Sequence, residues 1–140
     1  MSSPTPSRAR SMLSDFGGLN DALSAPFAAF LRAAVAGRDG HARFLNLLSL
    51  LEHIGSRKIM LSQMKGVLTQ DILKHLAEET RHAFFFKREA EKLAGRTIDG
   101  YAPDDTLAAA SGRLYFGRLD AGLTRGLAGE AGYLWVSLIV

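Results

Sequence analysis

From Ile72 to Leu93 the apolar residues Ile72, Leu76, Ala83, Phe86, Ala90 and Leu93 recur at alternating steps of four and three. That spacing lays them along one stripe of a helix and argues against a strand, whose side chains alternate every second residue. One position of the series goes to Glu79 instead of an apolar residue. A shorter series precedes it, Leu45, Leu48, Gly55 and Ile59, with Glu52 at the intervening step. The pattern predicts two long helices, about 41–64 and 71–93, separated by a turn at Gly66. Thr69 or Asp71 supplies the N-cap of the second, and Gly95 ends it.

Around this pair the chain is less regular. Residues 1–18 begin with a stretch rich in Ser, Pro and Arg and read as a flexible leader. Asn20 or Asp21 caps a first helix carrying Leu23, Phe27, Phe30, Leu31 and Val35, with Pro26 in its first turn and the break at Gly37–Gly40. Residues 96–105, with Gly100, Pro103 and paired aspartates, read as a loop. Thr106 to about Leu123 reads as a further helix, weakened by Gly112 and Gly117. The apolar residues Tyr133–Val140 fit either a buried helix or a buried strand, and their helical company favours the helix. The expected fold is an all-α, antiparallel bundle forming one domain over 19–140.

With 140 residues the chain has room for one ordinary domain. Its 47% hydrophobic and 22% charged residues suit a folded, soluble one. The absence of cysteine removes disulfides, thiolate zinc sites and cysteine nucleophiles together. Seventeen basic against 14 acidic residues leave a formal charge of +3, too small an excess to indicate a nucleic-acid partner. No apolar run reaches the roughly 18–20 residues of a bilayer span. Nor does an apolar signal-peptide core follow the N-terminal residues, so a cytoplasmic protein is expected. The Gly-x-Ser-x-Gly elbow of many hydrolases is also missing.

The chemistry concentrates in Glu52 and in Glu79-Thr80-Arg81-His82, a Glu-x-x-His spacing. Positions three apart on a helix differ by about 60° and about 4.5 Å along the axis, so both side chains can converge on one ion. An ionised carboxylate buried in an apolar seam without a partner costs several kcal/mol. Something must therefore neutralise Glu52 and Glu79. A metal does this, and so would pairing with Arg57, Lys58, Arg81 or Lys87, or a seat at the helix edge. Two carboxylates and an imidazole suit iron, manganese or zinc better than copper(I) or calcium. Glu78 lies 100° round the helix and reads as a solvated or supporting residue. His75, one turn before Glu79, is either an extra ligand or a partly exposed histidine, the second being favoured. His53 and His41 read as surface residues.

Glu52 within Ser49-Leu-Leu-Glu-His-Ile-Gly, followed by Glu78-Glu-Thr-Arg-His-Ala, resembles the first half of the ferritin-like superfamily of di-iron carboxylate proteins, especially its rubrerythrin-like members. The resemblance covers about residues 41–95. It implies that Glu52 is the lone carboxylate of one helix, Glu79 a bridging carboxylate and His82 a terminal imidazole, with iron the cofactor. It further implies oxygen or peroxide reduction, ferroxidase action or oxidation of a bound substrate. A second Glu-x-x-His is absent after Gly95, where the acidic residues are Asp99, Asp104, Asp105, Asp120 and Glu130. Ser137-Leu-Ile-Val140 echoes Ser49-Leu-Leu-Glu52, as though another bundle helix began there. Three completions are open: a chain truncated at Val140, a homodimer that joins two half-sites, or a metal-free relic of the fold. A reading from a different class is a metal-free helical interaction module, binding a partner protein or an anionic surface.

Overall fold

A computed structural model describes residues 6–63 and 66–126, which form four α-helices and no strand. They are α1 (Pro6–Val35), α2 (Arg38–Ser62), α3 (Gln70–Ala94) and α4 (Ala109–Gly126). The helical class expected from the sequence is thus observed. The segment 133–140 lies outside the described residues.

The chain divides into two compact units, Met1–Ala36 and Gly37–Val140. In the first, α1 starts at Pro6, and residues 6–18 are helical where a flexible leader was expected. Proline suits a first helical position because its missing N–H has no intrahelical partner there anyway. The caps expected at Asn20 or Asp21 do not start the helix. Pro26 lies inside it instead of in its first turn, removing one backbone donor.

In the second unit, α2 and α3 form the principal contact. The pairs Arg38–Leu93, Asn46–Lys87, Ser49–Ala83, Glu52–His82 and Ile59–Ile72 step up one helix as they step down the other, an antiparallel register. The ends of α3 explain its precision. Thr69 has extended backbone and its hydroxyl accepts from the Ile72 N–H at 3.3 Å, satisfying an N-terminal donor. Gly95 takes φ +69, the left-handed conformation that glycine adopts without a Cβ penalty. Arg38 closes the same end by donating to the Leu93 carbonyl at 3.0 Å.

The packing between α2 and α3 departs from the expected seam on the α2 side. Leu45 and Leu48 are only half-buried, while Ala42, Asn46, Ser49, Ser56 and Ile59 are buried. Small side chains let two backbones approach closely, and a polar one survives there only with its hydrogen bonds made. Of the largest side chains buried almost completely, Ile59, Asn46, Thr106 and Ser49, only the first is apolar. The apolar part of the core is correspondingly small, Ile59 against Ile72 with Leu76 beside them.

The loop 95–108 crosses back over α2. Buried Ile98 anchors it, its N–H donating to Glu91 Oε1 at 2.9 Å. The Leu107 N–H donates to the Arg43 carbonyl at 3.0 Å, and Arg96 pairs with Asp105. Helix α4 then packs on α2 at Gly112, where an added Cβ would stand 3.2 Å from Leu47 Cδ1 and 3.3 Å from Leu51 Cδ2. The glycine that weakens α4 as an isolated helix is what admits it to this surface. Lys58 and Asp120 form an ion pair between the same two helices.

Candidate metal centre

The antiparallel register brings Glu52 of α2 opposite Glu79 and His82 of α3. Ser49, one turn before Glu52, donates its hydroxyl to the carbonyl of Ala83, the residue after His82, at 2.7 Å. This bond fixes the height of one helix against the other immediately beside the acidic group. As a result, one potential ligand atom from each of Glu52, Glu79 and His82 lies within 4.8 Å of the others. Glu52 Oε2 stands 3.7 Å from His82 Nδ1. All three residues singled out in the sequence are therefore brought together.

The group is graded in exposure. Glu79 is buried at 4% exposure, whereas the side chains of Glu52 and His82 are 25% and 55% exposed. The cluster thus has a closed floor and an open mouth. Glu79 Oε2 is buried without a hydrogen-bond partner. Burial pushes the Glu52 carboxyl up from 4.5 to about 7. The neighbouring Glu79 carboxylate pushes the same way, and His82 pulls less strongly in the other.

Pairing with Lys or Arg is the ordinary remedy for such a site. Among the described residues, however, no Lys or Arg forms an ion pair with Glu52 or Glu79. Lys58 is taken by Asp120, and Lys87 points into a separate polar cluster. The orphaned carboxylate oxygen and the O,O,N donor set fit a divalent first-row metal in the range from manganese to zinc.

The other histidines fall elsewhere. His75 does not join the three converging donors; its side chain is 21% exposed, and its Nε2 lies 3.3 Å from Glu79 Oε1. Glu78 is half-buried and approaches Lys74 at 4.0 Å. His53 is exposed and stacks on Tyr101, with ring centroids 6.0 Å apart. His41 is half-buried in the first turn of α2.

Periodicity of apolar residues missed the second polar cluster altogether. The Asn46 amide donates to the Gly100 carbonyl (3.2 Å), the Asp105 carbonyl (3.0 Å) and Thr106 Oγ1 (2.8 Å). Its Oδ1 accepts from Lys87 Nζ at 3.0 Å. Lys87 also donates to the Gly100 carbonyl at 2.6 Å and lies 4.3 Å from the centre of the Tyr101 ring. Burial holds its ammonium below the usual lysine range, against the opposing pull of Glu91, Asp105 and Asp99. Since the Ser49 proton is committed to Ala83, the Tyr101 hydroxyl is the donor in its 3.0 Å bond to Ser49. The available signal was Asn46 and Ser49 three apart on one helix, polar residues that need buried partners when they face a neighbouring helix.

No protein-family model, curated protein or solved structure matches the chain.

Proposed function

We propose that this is a divalent-metal-binding helical protein, in which Glu52, Glu79 and His82 hold the ion between α2 and α3. The observation that carries the reading is the buried, unpartnered Oε2 of Glu79 beside a second carboxylate and an imidazole. A cation satisfies the orphaned oxygen and offsets the repulsion between the carboxylates. The open side at His82 leaves room for water or a small molecule on the ion.

In its more specific form the proposal is a cytoplasmic ferritin-like protein that binds iron as half of a dinuclear carboxylate site, with manganese and zinc as alternatives. Iron bound there would supply oxygen, peroxide or iron redox chemistry. A second copy of the chain would complete the site across the open face. His82 is half-exposed there, and Phe85, one turn further along α3, is 49% exposed. Size-exclusion chromatography with and without Fe(II) tests the pairing, which fails if the chain stays monomeric in both.

The metal reading is tested by elemental analysis of the purified chain and by melting it with Fe(II), Mn(II) or Zn(II) and with a chelator. An ion at 100 times its Kd raises stability by about 2.7 kcal/mol. Glu79→Ala removes that increment. A parent chain whose melting ignores both metal and chelator supports the metal-free interaction module instead. The exposed Leu23, Phe27 and Phe30 of α1, with the two phenyl rings stacked at 6.4 Å, favour that second reading.

A further inference from the structure

The two oxygens of Glu79 have different surroundings although both belong to one buried carboxylate. Oε2 has no partner, whereas Oε1 lies 3.3 Å from Nε2 of His75, one turn earlier on α3. A carboxylate turning about its last side-chain torsion exchanges its two oxygens, because that torsion is broad and roughly two-fold. An N–H donor on one oxygen removes this equivalence and fixes which lone pairs remain for another partner. His75 is suited to the task because it is mostly enclosed, its side chain 21% exposed. Neighbouring Lys74 points to Glu78, so it does not compete for Glu79. As a direct ligand His75 is poorly placed, since the donors that converge within 4.8 Å are those of Glu52, Glu79 and His82.

We propose that His75 is a positioning residue of the metal centre, whose Nε2–H holds Glu79 Oε1 and leaves Oε2 to the ion. The inference rests on the metal-binding reading above and says how that site is kept in order. Loss of an outer partner of a metal ligand weakens affinity by about 10- to 100-fold. His75→Leu removes the donor; His75→Gln keeps an N–H on a side chain of similar reach.

The test is titration of the metal-free full chain and both variants with Co(II), followed by its visible absorption, with circular dichroism to verify folding. The expected result is Co(II) affinity at least about tenfold weaker in His75→Leu. His75→Gln should recover most of it, and the visible spectrum of the bound ion should be the same in all three. Equal affinity in His75→Leu and the parent overturns the proposal. So does a spectrum altered in both variants, which makes His75 a ligand. A variant that fails to fold while its partner folds and binds like the parent assigns His75 a purely structural role and also overturns it. If the parent itself binds no Co(II), the metal reading fails first and takes the positioning role with it; binding in the parent separates the two.

Discussion

The interface between α2 and α3 buries polar groups at two places, and the two are settled differently. The Asn46 side chain itself is fully engaged from within: one amide serves three acceptors, its oxygen takes the Lys87 ammonium, and Tyr101 closes over Ser49, although Arg43 Nε, one turn earlier, is buried without a partner. Around Glu79, about two turns away along the same interface, a carboxylate oxygen has no partner and a second carboxylate stands beside it. Both clusters contain ionisable groups shifted by burial, so a shifted group alone does not mark a site. Unmet demand is what distinguishes the second cluster from the first. A satisfied network stabilises one arrangement; an unsatisfied one destabilises the chain until something binds.

The contrast makes opposite forecasts for substitutions on facing helices. Asn46→Ala leaves Gly100, Asp105, Thr106 and Lys87 short of partners. It should cost about 3 kcal/mol in urea denaturation of the metal-free chain, because several buried groups are orphaned together. Glu79→Gln should act in reverse, raising metal-free stability by about 1 kcal/mol while abolishing the stabilisation by metal. If Glu79→Gln destabilised the metal-free chain as Asn46→Ala does, the two clusters would be alike and the distinction would collapse.

Acidity provides the finest comparison. The Glu52 carboxyl has a folded pKa of about 7 against an ordinary 4.5, so the folded chain binds the extra proton. Its contribution is fully present below pH 4.5 and is lost as the pH rises through about 7. His53, held down by burial and by Arg57, tilts the curve the other way. The comparison must therefore be between variants: the metal-free parent should lose stability relative to Glu52→Gln as pH rises from 4.5 to 7. Thermal melts across that range read the difference, and parallel curves would remove Glu52 from the account.

How much of this could be read in the sequence follows the same division. The helices α2 and α3, the ends of α3 at Thr69 and Gly95, and the Glu79–His82 pair were legible, since each rests on spacing within a helix or on a local cap, whereas their meeting with Glu52 was implied by the resemblance to a known family. The α2 face was not legible, because Ala42, Asn46 and Ser49 are selected by close backbone approach and by partners in a loop more than 50 residues away. Nor was the start of α1: Ser, Pro and Arg suggested a leader, although Pro6 suits a helix start. Residue composition reports average preference, whereas a terminus depends on one position.

The bond from Ser49 to the Ala83 carbonyl bears on the order of folding and metal entry. It lies beside the cluster and is made as the helices pair, so the backbone spacing of the ligands is set during folding. A cation arriving later would meet a nearly finished cradle and would need to move only side chains. Rotamer changes of that kind take picoseconds to nanoseconds where they are exposed, as His82 is. Occupation of such a cradle would be limited by encounter and by stripping water from the ion, rather than by any rearrangement of the helices.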